Sequence, residues 1–253
     1  MSVVDRYFEA LIERLGEVRA TQVGAIDRAA EACARSIAAD KLVFSFGTGH
    51  GALPALEMFP RTGTIAGFRP IVESTMISFH RVWGDMGARQ YRFIHAVEGY
   101  GKAILRSHQL DPADSIVLFS HSGVNAVILD IALGAKEKGL TVIAVTSLPH
   151  SSASPSRHSS GRRLFEVADI VIDTRQSLRR IDPHRRARRP GRSEFDQRRH
   201  RNCSRDRRGH GGEALRRGVE PYVMVNPNTA GKEAANVAND RNYEELWRRL
   251  KAR

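Results

Sequence analysis

Three short segments of this chain combine glycine with hydroxyl side chains directly after an apolar run. They are GTGHG at 47–51, SHSGVN at 120–125 and TSLPHSS at 146–152. At a turn from a strand into a helix, backbone N–H groups and hydroxyls can donate to an anion, which the positive end of the helix dipole also favours. Any one segment has a simpler interpretation, in which Ser122 is a helix N-cap and the glycines form turns. Three together favour a phosphate site.

The three segments each follow a predicted strand. Apolar runs predict strands at 41–47, 114–120 and 140–147, with others inside 65–74 and at the end of 164–174. Helical spacing predicts helices at 3–38, divided near Gly16 or Thr21, and at 91–108 and 124–139. This alternation predicts the α/β class, as a doubly wound parallel sheet flanked by helices, with N-terminal helices. In such sheets ligands bind beyond the carboxyl ends of the strands.

Three stretches, in order along the chain, resemble the SIS (sugar isomerase) family of phosphosugar-binding domains. They are FSFGTGHG, VLFSHSGVNAVILDIALGAKEKGLTVIAVTS and RHSSGRRLFEVADIVID. The resemblance covers roughly residues 1–174 and 214–253. More narrowly, the chain resembles one bacterial group of SIS proteins of uncharacterised function. Proteins of this group carry the histidine-containing loop and the SRHSSG segment. The resemblance implies an SIS-type fold and a phosphorylated sugar as ligand.

The resemblance also implies which residues bind that ligand. The residues implied for the phosphate are Ser120, Ser122, Thr146 and Ser147, and those lining the sugar are Gly47, Thr48 and Gly49. Gly123 and Asn125 complete the expected set of phosphosugar-binding residues. Many SIS domains carry another hydroxyl where Asn125 stands, so this position departs from the family pattern.

Aldose–ketose isomerisation of a sugar phosphate is the reaction that the resemblance suggests. It needs a base that moves a proton between neighbouring carbons and a group that helps to open the ring. Glu73 is the first candidate base and Glu98 the second, while His50 and His80 could act on the ring oxygen or a hydroxyl. Glu98 could equally be a solvated helix position, and His80 a structural histidine. Many SIS domains only bind sugar phosphates, so a non-catalytic phosphosugar sensor is the alternative.

The bulk composition excludes several other classes of protein. Two cysteines, Cys33 and Cys203, form no disulfide framework, which fits a reducing cytoplasm, and Cys33 falls on the apolar face of its helix. Charged residues interrupt the N-terminus, so we expect no signal peptide, and no apolar run reaches the roughly 18 residues of a membrane span. We expect no cofactor and no metal, because His184, His200, Cys203 and His210 lack an ordered ligand spacing.

The expected organisation is a single SIS domain over residues 1–253. It comprises N-terminal helices at 1–38, a core at 39–174, an Arg-rich segment at 175–212, and a C-terminal strand and helix at 213–253. By analogy with the family, the N-terminal helices pack on a second subunit in a dimer or higher homo-oligomer.

Most of the positive charge lies in the Arg-rich segment. The net charge is +12, and residues 175–212 contain 14 Arg, no Lys and four acidic residues. A nucleic-acid-binding arm would mix Lys with Arg and interleave aromatic residues, whereas this segment has only Phe195. Its composition is that of a disordered linker. A linker does not explain the position, however, because a doubly wound sheet needs a closing helix here.

The genetic code supplies a third interpretation of this segment. Arginine codons of the CGN type become GNN when they are read one nucleotide later, and GNN encodes Val, Ala, Asp, Glu or Gly. In that shifted frame, 195–203 admits an apolar, small-residue helix that continues in frame into EALRRGVEP at 213–221. We therefore expect residues near 175–212 to be translated out of frame, through two compensating insertions or deletions.

Resequencing the gene across codons 170–216 tests this expectation. We expect a displaced frame whose correction removes most of the net charge of +12 and restores an apolar helix. Codons that forbid the shifted reading would contradict it. The competing interpretation as a nucleic-acid-binding arm predicts binding that survives near-physiological salt and is abolished by deleting 175–212.

Overall fold

The centre of the fold is a five-stranded parallel sheet. The computed structural model describes residues 2–77, 91, 93–176, 237, 238, 240, 241, 244, 245, 248, 249 and 251. The strands are β1 (Val43–Gly47), β2 (Phe68–Pro70), β3 (Ser115–Phe119), β4 (Thr141–Thr146) and β5 (Ile170–Asp173). Their spatial order is β2-β1-β3-β4-β5, and every neighbouring pair is parallel. The predicted α/β class is confirmed.

Helices precede and connect the strands. They are α1 (Val3–Ala38), α2 (Ala52–Glu57), α3 (Ser74–Ile77), α4 (Tyr100–Arg106), α5 (Ala126–Glu137), α6 (Leu148–Ser152) and α7 (Leu164–Val167), with a 3-10 turn at Gly49–Gly51. Within the part of the chain that the structure describes, none of these helices is long and apolar enough to cross a membrane.

Two apolar layers cover the sheet. On one face, small side chains of α1 such as Ala32 and Cys33 pack with Val117 of β3. On the other face, α4 and α5 pack with residues such as Phe44 and Leu118. Cys33 is a buried core residue, as its helical position predicts, and burial raises the pKa of its thiol to about 12. The sheet is therefore enclosed on both faces, as parallel sheets require.

Two helical segments differ from their predicted form. The N-terminal residues form one continuous helix rather than two, because an exposed Gly16 weakens a helix by only about 1 kcal/mol and Thr21 donates to the Glu17 carbonyl within it. The predicted helix at 91–108 is interrupted instead. Gly99 has a φ of 88°, and α4 begins after it at Tyr100.

A buried carboxylate joins α5 to the start of α4. Asp130 has a side chain that is only 1% exposed. Its Oδ2 accepts from the backbone N–H of Gly99 at 2.6 Å and of Gly101 at 3.2 Å. Gly101 leaves no space for a side chain, since a Cβ there would lie 2.5 Å from both Asp130 Cβ and the Val127 carbonyl oxygen. The two helices therefore approach each other closely at this point.

The C-terminal residues dock on the end of α1. Arg249 is 5% exposed, and its Nη1 donates to the Ile37 carbonyl at 3.0 Å. Arg248 bonds the carboxylate of Asp40 at 2.6 Å, and this contact lowers the pKa of Asp40. Apart from Arg175 and Gln176, the Arg-rich segment lies outside the described residues. The C-terminal strand predicted within 213–253, in the run PYVMVN at 221–226, lies outside them as well.

The close contact between α4 and α5 predicts opposite effects of two glycine substitutions. Gly101→Ala forces a Cβ against backbone, and we expect it to lower the free energy of unfolding by about 1–3 kcal/mol. The matched control is Gly24→Ala in α1, where the nearest atom to a Cβ is Arg28 Nη1 at 3.8 Å. The control should raise the free energy of unfolding by about 0.4–1 kcal/mol. Urea denaturation measures both, and equal stabilities would contradict the packing described.

Candidate functional site

The carboxyl ends of β1, β3 and β4 form one edge of the sheet. The register pairs Gly47 with Phe119 and Phe119 with Val145. Neighbouring strands lie about 5 Å apart, so the segments that follow these strands come together at this edge. The chain passes from β1 outward to β2 and then returns to β3 on the other side of β1. The gap between β1 and β3 is therefore the switch point at which such sheets bind ligands.

The first loop turns tightly after β1. A Cβ on Gly47 would lie 2.1 Å from the Gly51 carbonyl oxygen, so only glycine fits. Gly49 has a φ of 59°. The half-buried Thr48 accepts a hydrogen bond at 3.3 Å from the hydroxyl of Tyr91. Tyr91 is not among the residues predicted from the sequence. His50 is exposed on the 3-10 turn.

The second loop begins at the end of β3. Ser120 Oγ accepts from the Gly123 N–H at 3.2 Å. Gly123 has a φ of 61°, which a glycine tolerates without strain. Asn125 is the N-cap of α5, but its side chain makes no capping hydrogen bond. Its Oδ1 instead accepts from Arg157 Nη1 at 3.2 Å. The half-buried Ser122 lies in the same loop.

The third loop follows β4 and is tied to the second. Thr146 and Ser147 are completely buried. Thr146 Oγ1 donates to the His121 carbonyl at 3.2 Å. Ser147 Oγ accepts from the His150 N–H at 3.2 Å as the N-cap of α6, and it donates to the Gln176 carbonyl. The Thr146 hydroxyl therefore fixes the third loop to the second, and the Ser147 hydroxyl fixes the third loop to the residues after β5.

The third loop also has a connection to α1. Asp173 is 2% exposed at the end of β5, and its Oδ1 accepts from the Leu148 N–H at 2.9 Å. The Asp173 N–H donates to Gln22 Oε1 of α1 at 2.9 Å. A chain of two hydrogen bonds thus runs from the N-terminal helix to the first residue of α6.

Two histidines face each other across the second and third loops. The rings of His121 and His150 are 4.6 Å apart at an interplanar angle of 88°. Burial, and to a smaller extent the charge of His150, lowers the pKa of His121. Among the described residues, His150 Nδ1 and the Oγ of the fully buried Ser151 have no hydrogen-bond partner. The two loops therefore contain polar atoms that are not used within the described part of the chain.

The candidate base Glu73 follows β2 and belongs to a hydrogen-bonded chain. Its Oε1 accepts from Thr75 Oγ1 at 2.7 Å, and Thr75 Oγ1 lies 2.7 Å from the hydroxyl of Tyr100. Burial is the main cause that raises the pKa of Tyr100. Thr75 therefore orients the Glu73 carboxylate. The residue is also partly exposed, which leaves it accessible.

The second candidate base has a different environment. Glu98 is exposed just before α4 and accepts from the Ser159 N–H at 2.5 Å, and its hydrogen bonding to Ser159 lowers the pKa of the carboxyl group. The structure thus separates Glu98, which contacts the SRHSSG segment, from Glu73, which contacts Tyr100. The remaining candidate, His80, lies outside the described residues.

Across the described ranges, no group of three or more His, Cys, Asp or Glu side chains is arranged to hold a metal ion.

The fold defines an α/β protein, and the three loops form a candidate ligand site at the switch point of its sheet. A profile of the SIS domain matches residues 6–147. The UPF0309 protein of Oceanobacillus iheyensis is 36% identical to this chain, and that of Shouchella clausii is 34% identical. Each alignment covers 174 residues, which are 68% of this chain and 68% of the relative. This chain belongs to the SIS domain family.

Two solved structures are also similar. A phosphoheptose isomerase from Neisseria gonorrhoeae has a TM-score of 0.49 and 16% identity, covering 70% of this chain and 86% of that chain. A phosphoheptose isomerase from Francisella tularensis has a TM-score of 0.43 and 20% identity, covering 69% and 86%.

Several residues at this edge were not identified from the sequence. Tyr91, Thr75 and Tyr100 contact predicted site residues, but nothing in their spacing indicates it. Asp130 did carry a signal, because a single carboxylate inside the apolar run AVILDIALG must find partners if that run is buried.

Proposed function

We propose that this SIS domain binds a phosphorylated sugar at the carboxyl edge of its sheet. The observation that carries the proposal is the convergence of three glycine- and hydroxyl-containing loops at the switch point between β1 and β3. The second loop leads into the 12-residue helix α5, whose N-terminus favours an anion. Membership of the SIS family supports the same class of ligand.

The residues of the three loops have different parts in this proposal. Thr146 and Ser147 are buried and already hydrogen-bonded, so they hold the backbone of the phosphate loops in place. Ser120 and Ser122 are half-buried and are therefore more accessible than Thr146 and Ser147. Gly47, Thr48 and Gly49 line the sugar. The remaining phosphate residues are Ser120, Gly123 and Asn125, which belong to the second loop.

We further propose that the bound sugar phosphate is isomerised between its aldose and ketose forms. Glu73 takes the proton from the hydroxyl-bearing carbon next to the carbonyl while the carbonyl oxygen gains a proton, which gives an enediol. Glu73 then returns its proton to the former carbonyl carbon as the neighbouring hydroxyl oxygen loses its own proton and becomes the new carbonyl. Thr75 orients this carboxylate. His50, on the exposed turn after β1, assists ring opening, and Glu98 and His80 are the alternative acid–base groups.

The second candidate function is a phosphosugar sensor without turnover. It is favoured by the hydrogen bonds that Glu98 and Glu73 already make within the protein, since a carboxylate that holds structure is not by that fact a base. The sensor and the isomerase share the binding site and differ only in what Glu73 does.

A binding and turnover experiment separates these functions. Full-length protein, expressed from the resequenced gene, is titrated calorimetrically with a panel of sugar phosphates and the matching unphosphorylated sugars. We expect phosphorylated members alone to bind, because the loops present N–H and hydroxyl donors to an anion. Binding that ignores the phosphate would contradict the proposed ligand class.

Glu73→Gln is then assayed for turnover of the sugar phosphates that bind. Loss of a proton acceptor should lower kcat by about 10²–10⁴-fold and leave the Kd nearly unchanged. The control is Glu137→Gln, an exposed substitution at the far end of α5. Unchanged kcat in Glu73→Gln would exclude its role as base, and binding without turnover in the unmodified protein indicates a sensor.

We also propose that α1 mediates a homo-oligomer. The side chains of nine of its large apolar residues are exposed, at 36–61%. They are Val3, Val4, Tyr7, Phe8, Leu11, Ile12, Leu15, Val23 and Ile26. A helix of 36 residues is about 54 Å long, and an apolar stripe along it is typical of a helix that packs on another chain.

Leu15→Glu should therefore yield a smaller species in sedimentation velocity, because it places a charge inside the apolar stripe. The matched control is Glu13→Lys. Residues two apart on a helix do not share a face, so this change should leave the sedimentation coefficient unaltered. A wild-type monomer at micromolar concentration would contradict the proposal.

The out-of-frame reading of residues near 175–212 is likewise a proposal. Because the same 174 residues are 68% of this chain and 68% of the relatives, the chains have nearly equal lengths. Arg248 and Arg249, which follow the segment, dock on α1. A domain that resumes its packing after the segment is expected if the reading frame is restored there.

We propose a cytoplasmic location on the cysteine content alone.

A further inference from the structure

We propose that Arg157 is the cation of the phosphate clamp in this chain, held there by the segment Ser156–Gly161. This inference rests on the proposed function, because it names a residue that determines specificity at the same site. It also accounts for SRHSSG, which the isomerase and sensor proposals do not use.

The segment is anchored by a buried pair. His158 Nε2 lies 3.4 Å from Asp130 Oδ1, and the two side chains are 8% and 1% exposed. The Ser160 N–H donates to His158 Nδ1 at 3.0 Å, so Nδ1 acts as an acceptor. In a neutral imidazole the proton is then on Nε2, where it faces the carboxylate. Asp130 thereby fixes the ring, and the ring fixes the segment.

The backbone of the segment is attached beside the phosphate loop. The Arg157 N–H donates to the Val124 carbonyl at 2.9 Å, one residue before the N-cap of α5. The chain before and after His158 is also joined directly, because Ser156 Oγ donates to the Arg162 carbonyl at 2.7 Å. Arg157 is therefore held at a defined place although its side chain is exposed.

The guanidinium of Arg157 lies at the positive end of α5. Its Nη1 donates to Asn125 Oδ1, and among the described residues it forms no ion pair with a carboxylate. A cation at a helix N-terminus is electrostatically unfavourable, whereas an anion there is favourable. An anion bound between them would satisfy both the helix and the guanidinium. Most of the five N–H donors of the side chain are available for it.

This arrangement also explains Asn125. Its Oδ1 accepts from Arg157 and so orients the guanidinium, while its Nδ2 keeps two N–H donors of its own. The guanidinium adds charged donors next to this position, where many SIS domains have a hydroxyl. A guanidinium matches the paired oxygens of a phosphate monoester, which distinguishes this ligand from an uncharged sugar.

The test compares four full-length variants. Arg157→Met removes the cation, Arg157→Lys keeps the charge without the planar fork, and His158→Gln releases the anchor. Arg162→Met is the matched control, because it removes an equal charge from an exposed residue of the same region whose guanidinium bonds the Glu166 carbonyl. The probes are inorganic phosphate and the sugar phosphates that bind the unmodified protein, titrated by calorimetry.

We expect Arg157→Met to weaken both probes by about tenfold or more, the range for a hydrogen bond to a charged group, and Arg157→Lys to weaken them less. Arg162→Met should bind normally. His158→Gln should weaken binding, and the double variant with Arg157→Met should be no weaker than Arg157→Met alone, because both changes act through one guanidinium. A purely structural role of His158 would instead weaken the double variant further.

Two other results are distinguishable. Unmodified protein that binds sugar phosphates, together with an Arg157→Met variant that matches Arg162→Met, would overturn this inference and leave the proposed function standing. Unmodified protein that binds neither inorganic phosphate nor any sugar phosphate would overturn both.

Discussion

The carboxylate of Asp130 is the interaction on which the arrangement of this edge depends. An ionised group that is 1% exposed inside an apolar helix is strongly destabilising unless each oxygen has a partner. Here Oδ2 binds two backbone N–H groups at the start of α4, and Oδ1 binds His158. The helix α5, the start of α4 and the segment that contains His158 are distant in the sequence. They are held together because each supplies or binds an atom of the Asp130 carboxylate.

The parts of the fold that were predicted correctly follow from local patterns. Apolar runs such as VFSFG and TVIAVT become buried strands, and the loops after them share an edge because parallel strands end together. Gly139, the last residue of the helix predicted at 124–139, lies just after the C-cap of α5 and has a φ of 85°. Such features depend on neighbours in the sequence, so they can be read from it.

The parts that were missed depend on contacts between distant residues. Thr48 and Tyr91 are 43 positions apart, and Asn125 and Arg157 are 32 apart. Neither pair has a spacing that would indicate contact. The continuous helix α1 was missed for a different reason, since the local weakness of Gly16 does not outweigh the helical hydrogen bonds on both sides of it. The candidate site was therefore predicted as a set of loops, without the side chains that orient them.

The hydrogen bonds between Gln22 and Asp173 and between Asp173 and Leu148 connect α1 with the third loop. An association between protomers through α1 would act on the same helix that holds β5 and the start of α6. If assembly changes the position of the third loop through these bonds, assembly and ligand affinity are thermodynamically linked. By reciprocity, any factor by which assembly strengthens ligand binding is then the factor by which the ligand strengthens assembly. A domain of this design would report the supply of its ligand through the fraction of chains that are assembled.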